Sequence, residues 1–489
     1  MPDYDLIVIG SGPAGRRAAV QAAKLKKSVL VVEQGRRVGG VCVHTGTIPS
    51  KTLRETVLNL SGWRERGFYG RGHRAKQDIT AADLGRRLEI TLGHEVEVLE
   101  HQFARNNVAC VIGAARFIDP HAIEVTAESG EARCYRSDRF ILAVGTIPYR
   151  PTNIPFDGEV ILDADDILDL KRLPRSLAVI GASVIGVEYA SIFSALDVKV
   201  TLIEPSEAML AFLDRELIDE FVHDLRDRGV TLRFNSKVER VARTGPQACL
   251  IQLEDRRQIG AEMVLFAAGR TGATAMLNLS ACGLAADARG RIAVDKTNFR
   301  TAVAHIHAVG DVIGFPSLAS TSMEQGRIAA CHAFGEPAHA PPEFFPYGIY
   351  SVPEISTVGM SEEQAREKRI PYETGIARFR ETSRGHIMGL ETGFLKMIFA
   401  LETRRLLGAH IVGEGATELI HIGQAVLNLG GGLDYFVENT FNYPTLAEAY
   451  KIAALDAHNR MPKRQPSADA FEAMTQAALD RIASAARGA

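Results

Sequence analysis

Asp5-Leu6-Ile7-Val8-Ile9-Gly10-Ser11-Gly12-Pro13-Ala14-Gly15 sets a short, apolar, β-branched run directly before three glycines at fixed spacing. An Ala-rich helical stretch over 18–26 follows, and a second apolar run over 28–32 ends in Glu33. Strand, glycine turn, helix and strand-terminal acid together are the requirements of a dinucleotide site. The first glycine makes the tight turn, the second lets backbone approach a pyrophosphate, and the third packs helix on strand, with the helix N-terminus facing the phosphates. Glu33 would accept hydrogen bonds from a ribose. Gly10, Gly12, Pro13, Ala14, Gly15 and Glu33 are therefore candidate dinucleotide contacts. The glycines alone would carry little; their context makes the signal specific.

The pattern begins again farther on. Ser176-Leu177-Ala178-Val179-Ile180 runs into Gly181-Ala182-Ser183-Val184-Ile185-Gly186, a helix through Glu188 and Ala190, and a strand over 198–203 that ends in Glu204. The interval from Gly181 to Glu204 equals that from Gly10 to Glu33, so the chain holds two dinucleotide folds and is of the α/β class. One position differs: Ser183 stands where the second glycine is expected, which predicts a less close backbone approach and weaker nucleotide binding without its loss.

Between the two folds, a polar helix is expected over 80–105, with Thr80 as N-cap and Asp83 three residues on. His94 and His101 on it read as part of a solvated face, with no metal. Alternating segments over 108–112, 122–125 and 133–135 read as a β-meander, followed by a buried strand over 140–146 and a linker-like cluster of Pro148, Pro151 and Pro155.

Composition excludes several classes of function. The 489 residues are enough for roughly three domains. A formal charge of −3 and a pI near 6.6 leave no basic footprint for nucleic acid. The acidic start lacks the features of a secretory signal, and no apolar run approaches a membrane span. Cys42, Cys110, Cys134, Cys249, Cys282 and Cys331 are scattered without Cys-x-x-Cys spacing, as in a reduced, cytoplasmic protein.

Two further stretches carry the chemistry. Gly39-Gly40-Val41-Cys42-Val43-His44-Thr45-Gly46-Thr47-Ile48-Pro49-Ser50-Lys51 resembles the redox loop of the flavoprotein disulfide reductases, in which two cysteines form a disulfide above the flavin. Here Cys42 keeps the first position and Thr47 takes the second. A hydroxyl forms neither a disulfide nor a stable thiolate near neutral pH. Asn442-Tyr443-Pro444-Thr445-Leu446-Ala447-Glu448 resembles the end of that family's interface domain, with Tyr443 where a proton-shuttling His is usual and Glu448 at the position of its Glu. A phenol with a pKa near about 10 is a poor shuttle at neutral pH.

With Phe212-Leu213-Asp214 and the segment from Gly310-Asp311-Val312 to Ala319-Ser320, these motifs are similar to those of the soluble, energy-independent pyridine nucleotide transhydrogenases, over residues 4–460. The resemblance implies two Rossmann-like domains and an α+β dimerisation domain. Beyond residue 460 it stops, and 462–489 reads as an extension with Phe471, Met474, Ala478 and Ile482 at helical spacing over 468–486, either a docked helix or a frayed tail. Within its span it assigns 1–150 to FAD, 151–275 to NAD(P), 276–345 to a segment returning to the FAD domain, and 346–461 to the interface. It places FAD against Gly10, Gly12, Pro13, Ala14, Gly15, Glu33, Gly40, Cys42, Lys51, Gly145, Asp311 and Ala319, with Thr47, Tyr443 and Glu448 also beside the flavin. It places NAD(H) or NADP(H) against Gly181, Ser183, Ile185, Gly186, Glu188, Glu204, Gly269 and Arg270. Lys51 and Glu188 match the ion pair set beside flavin and nicotinamide and are the expected catalytic residues. His305 and His307 read as structural.

The implied activity is hydride transfer between NADPH and NAD⁺ through the flavin of a homodimer or larger homo-oligomer. An NAD(P)H-dependent quinone or dye reductase shares every one of these sites, and a nucleotide-sensing flavoprotein would share them without turnover. A disulfide reductase is disfavoured by Thr47 and Tyr443 together. Glu204 favours a ribose diol over a 2′-phosphate, and no Arg lies between it and Arg215. NADPH is therefore expected to bind more weakly than NADH at the second fold, with Glu204→Ala narrowing the gap; equal dissociation constants in the wild type would reveal a compensating cation.

Overall fold

The computed structural model describes residues 3–70, 72–338 and 343–462, so the helix expected over 468–486 lies outside the described residues. The first fingerprint sits in a five-stranded parallel sheet ordered Ile306–Ala308, Phe140–Leu142, Leu6–Ile9, Val29–Glu33, Ala109–Ile112. Leu6, Ile7 and Val8 are wholly buried, as expected where both faces of a parallel sheet are covered. Helices Pro13–Lys24 and Ala319–Ala333 cover one face and cross so closely that a Cβ on Gly326 would lie 2.0 Å from the carbonyl of Ala14.

A three-stranded antiparallel sheet, Ala114–Asp119, Ala122–Thr126 and Ala132–Arg136, covers the other face. This corrects the expected meander. The segment over 108–112 pairs with Val29–Glu33 in the parallel sheet, and a strand missed in the sequence, Ala114–Asp119, takes its place. The switch occurs at Gly113, whose N–H bonds the carbonyl of Glu33 and where a Cβ would meet Val125 at 2.7 Å.

The second fingerprint repeats this plan. Its parallel sheet is ordered Thr231–Arg233, Lys199–Ile203, Ser176–Ile180, Met263–Phe266, Ile161–Asp163, backed by the antiparallel strands Val238–Gly245, Ala248–Leu253 and Gln258–Ala261. The chain enters and leaves through Thr146–Pro148 and Arg270–Gly272, which pair with each other, so Pro148 belongs to a strand and not to a free linker.

The third part is an antiparallel sheet ordered Tyr347–Ile349, Ile355–Gly359, Leu406–Val412, Phe394–Ala400, Tyr372–Arg378, flanked by helices Ala416–Asn428 and Glu448–Arg460. Helix Ala81–Arg105 begins with the Thr80/Asp83 capping box, and His94 and His101 are exposed on it. The quoted stretch over 39–51 is helical, not a loop. It folds as Gly40–His44 and then Thr47–Leu60, which accommodates Pro49 because a missing N–H in a first turn has no partner to lose.

Asp214 joins the second part to the third. Lys396, on the strand Phe394–Ala400 and 1% exposed at its side chain, puts its Nζ 3.0 Å from Asp214 Oδ1, 2.9 Å from Glu216 Oε2 and 2.5 Å from Glu362 Oε2. Burial alone would raise the Asp214 carboxyl, but the charges of His410 and Lys396 hold it below its ordinary value. Burial opposes the same lowering at Glu362, where the hydrogen bond from Lys396 prevails. Both acids therefore contribute stability above the ordinary carboxyl pKa of about 4 and lose it as the pH falls through their lowered values. Lys396→Ala is expected to destabilise the protein by about 3–5 kcal/mol at neutral pH in urea unfolding, since it strands buried carboxylates. The difference from wild type should shrink below about pH 4; a difference independent of pH would contradict the assignment.

Candidate active site

The glycines of the first fingerprint do three separate jobs. Gly10 has φ of +103°, and a Cβ there would lie 2.3 Å from the carbonyl of Ala143. A Cβ on Gly15 would lie 1.9 Å from the carbonyl of Gly10, the close helix-to-strand contact. Gly12, by contrast, meets nothing within 4 Å and leaves open space before the helix N-terminus. That space belongs to a cavity of about 760 Å³ at the C-terminal ends of Leu6–Ile9 and Val29–Glu33, within the size range of a cofactor site.

Gly10, Gly12, Pro13, Ala14, Glu33, Gly40, Cys42, Thr47, Gly145, Asp311 and Ala319 all line this cavity. Glu33 accepts from the Ser11 and Gly35 N–H groups at 2.9 and 2.7 Å and from the Ser11 hydroxyl, while that hydroxyl accepts from Gly39 N at 2.8 Å. The strand-terminal acid thus ties the fingerprint to the start of the Cys42 segment, and Gly40 packs on Gly12 so tightly that a Cβ would come within 2.9 Å of its Cα.

Chemistry at the cavity's centre follows from burial and charge. Burial raises the Cys42 thiol pKa, against a hydrogen bond with Thr47 and the charge of Arg16. Cys42 is therefore a protonated thiol, and it is one of six free cysteines, none paired. Asp311, on the turn Gly310–Ile313, is also raised by burial, offset by Arg270 and by a hydrogen bond with Ser322. A strand-terminal carboxylate, an open glycine before a helix N-terminus and a half-buried acid on the same cavity fit a dinucleotide such as FAD.

Lys51 and Glu188, far apart in sequence, meet. Lys51 Nζ lies 2.8 Å and 2.9 Å from the two Glu188 oxygens and 4.8 Å over the Tyr350 ring. Glu188 is 5% exposed at its side chain and also accepts from Tyr350 N at 2.8 Å. One carboxylate thereby joins the helix after Cys42, the helix of the second fingerprint and the third part of the chain.

The second fingerprint repeats the first. Gly181 has φ of +102°, and a Cβ on Gly186 would lie 1.9 Å from the Gly181 carbonyl. Ser183 adopts φ −74°, ψ 179°, close to −61°, −175° at Gly12, so a side chain there costs no backbone strain; its hydroxyl donates to Ala267 O at 3.1 Å. Ile185 is half-buried in the first turn of the helix Val184–Ala195, and Gly269 has φ of +131° just before Arg270. Glu204 accepts from Ala182 N at 2.7 Å and Ser206 N at 3.0 Å, the counterpart of Glu33.

Three site residues sit differently from their expected places. Arg270 is committed to Thr146 Oγ1 at 2.9 Å, Thr146 O at 2.8 Å and Asp165 at 3.2 Å, so it locks the crossover strands together and is not free to offset Glu204. Tyr443 and Glu448 do not line the cavity within one chain; Tyr443 is 71% exposed, with its hydroxyl bonded to Ser383. Sequence reasoning missed Arg233. It pairs with Ile203 on the neighbouring strand, its carbonyl accepts from Glu204 N at 2.8 Å, and its side chain is exposed without an ion-pair partner among the described residues. Strand pairing in the βαβ unit, not proximity in sequence, was the signal that could have found it.

The chain matches the family model described as pyridine nucleotide-disulphide oxidoreductase over residues 4–326 and that family's dimerisation domain over 345–454. It is 52% identical over 462 residues to the soluble pyridine nucleotide transhydrogenase of Mycobacterium tuberculosis, spanning 94% of this chain and 98% of that protein. It is 43% identical over 463 residues to the protein of the same name from Colwellia psychrerythraea, spanning 94% and 99%. Among solved structures it is similar to LpdA from Mycobacterium tuberculosis, with a TM-score of 0.84 and 26% identity over 92% of this chain and 99% of that one. It is likewise similar to the HOCl-induced flavoprotein disulfide reductase RclA from Escherichia coli, at 0.83 and 28%, over 92% and 99%. Duplicated fingerprints, returning FAD-type strand and antiparallel third part agree with these matches, and the chain belongs to the pyridine nucleotide-disulphide oxidoreductase family.

Proposed function

We propose that this chain is an FAD-dependent transhydrogenase that passes hydride between NADPH and NAD⁺ without a redox disulfide. The observation that carries the reading is Thr47 on the cavity wall beside a lone, protonated Cys42, with the Lys51–Glu188 pair intact. An electron path through a dithiol has no second sulfur here, whereas one that needs only flavin and nicotinamide keeps all its parts. The names of the full-length relatives support the same reading.

FAD, when bound, supplies an acceptor that takes hydride from one nicotinamide and yields it to another. The chain's own residues bind and orient. Gly12 leaves room for the pyrophosphate at the helix N-terminus, Glu33 serves the adenosine ribose, and Asp311 faces the cavity as a hydrogen-bonding carboxyl. Lys51 supplies a fixed positive charge that favours an electron-rich ring, and Glu188 holds the ammonium in one position. Gly181, Ser183, Gly186 and Glu204 receive the nicotinamide dinucleotide, and Arg233 supplies the cation that offsets Glu204 when a 2′-phosphate is present. Tyr443 and Glu448 belong to the face that a second copy of the chain covers, which the dimerisation-domain match supports.

Stopped-flow reduction of the flavin-loaded enzyme by NADPH, followed by mixing with an NAD⁺ analogue, tests the reading. Reoxidation by the nucleotide is expected at a rate comparable to reduction. Reoxidation only by a quinone would make the chain a quinone reductase, and no reduction by NADPH would make it a nucleotide-binding module. Lys51→Ala should slow flavin reduction by about tenfold or more.

A second measurement addresses nucleotide choice. Arg233→Ala should weaken NADPH binding by about tenfold, the loss of one charge-assisted contact, and leave NADH binding unchanged. Equal weakening of both nucleotides would remove Arg233 from the site.

A further inference from the structure

The cofactor cavity occupies the C-terminal ends of the first sheet. A second cavity, of about 470 Å³, opens at the opposite ends of the same strands. Arg139 enters it from just before the strand Phe140–Leu142, Arg300 and His305 flank the strand Ile306–Ala308, His307 lies within that strand, and His332 comes from the last turn of helix Ala319–Ala333.

His307 is the unusual member. It is 4% exposed, pairs by backbone with Arg300, and its Nδ1 has no hydrogen-bond partner among the described residues. A buried polar atom left unbonded is destabilising unless a ligand satisfies it. Burial is the first cause that lowers this imidazole to about 4, and Arg300, His332, Arg139 and His305 all push the same way. The neighbouring side chains that act on the ring are thus basic ones, two guanidinium groups and two imidazoles.

Asp5 feels the charge of Arg139 and Asp295 that of Arg300 at longer range, but neither carboxylate closes on its guanidinium as an ion pair. Among the described residues, neither Arg139 nor Arg300 forms an ion pair; Arg139 instead stands 4.9 Å over the Phe334 ring, which Lys27 approaches at 5.1 Å. Asp138, on the rim, is the one acid lining the cavity and is exposed. A metal ion does not suit the site. Its imidazoles do not converge within ligand distance, and the group of side chains that does converge, Asp214, Glu216 and Glu362, already surrounds the Lys396 ammonium.

A concave site with two unpaired guanidinium groups, an unsatisfied imidazole and a surplus of positive charge matches a multiply charged oxyanion. Its volume exceeds what a bare anion fills, leaving room for a small organic body. We propose that this cavity binds a phosphate-class dianion, free or as the phosphate ester of a small metabolite, with Arg139 and Arg300 as its anchoring charges and His307 in its wall. The site shares the first sheet but lies apart from both dinucleotide sites, and it does not depend on the reaction assigned to them.

Isothermal titration of the flavin-loaded protein with inorganic phosphate and with glycerol 3-phosphate, at constant ionic strength against chloride, tests the proposal. Saturable binding is expected for at least one of the two, and their relative affinities identify the free ion or the ester as the better ligand. Arg300→Gln and Arg139→Gln should each weaken it by about tenfold, with Arg300→Lys retaining most of the affinity. Because Arg300 is exposed, its variants should fold, and retained flavin absorbance verifies this. Followed by NMR, the His307 ring resonance should titrate at higher pH once phosphate is present, because the bound anion stabilises the imidazolium. Heats equal to those of chloride, or affinities unchanged in both Gln variants, would overturn the proposal.

Discussion

Glu188 is a buried carboxylate in the middle of an otherwise apolar helix, and a buried charge is tolerated only with partners. Its partners come from the two other parts of the chain, Lys51 from the helix after Cys42 and the N–H of Tyr350 from the start of the antiparallel part. Moving any one of the three parts would strand a charge in a site from which water is largely excluded. The geometry between the first cavity and the second fingerprint therefore follows from this contact. Lys51 is held there as a fixed charge, which makes it useful for chemistry without further rearrangement.

The duplicated fingerprint uses one physical solution twice. Gly10 and Gly181 share a backbone conformation, and Gly15 and Gly186 share the same close contact. The difference lies at the position free to vary. Gly12 and Ser183 both adopt ordinary negative φ, so that position is reserved by space for a ligand and not by backbone strain, and a small hydroxyl can occupy it when turned toward Ala267.

Much of the site was legible in the chain as written. Fingerprint glycines, strand-terminal acids, the Thr80 cap and the identity of Cys42 and Thr47 depend on local geometry or on side-chain chemistry, both of which sequence states directly. Errors arose where pairing partners had to be chosen. The segment over 109–112 alternates like a meander strand and yet joins the parallel sheet, because Gly113 lets the chain turn sharply enough to begin a second sheet. The commitment of Arg270 is invisible along the chain because its partners, Thr146 and Asp165, are more than a hundred positions away. Arg233 comes next to Glu204 only through strand pairing, which residue order does not show.

The sequence by itself determined the α/β class, the two dinucleotide folds and the removal of dithiol chemistry, since a threonine at position 47 cannot supply a sulfur wherever the fold puts it. Tertiary structure alone decided which charges meet. Lys51 with Glu188, Lys396 with three acids, and the unpaired Arg139 and Arg300 beside His307 are outcomes of packing. Coulombic interactions depend on distance and burial, and neither quantity is written in residue order.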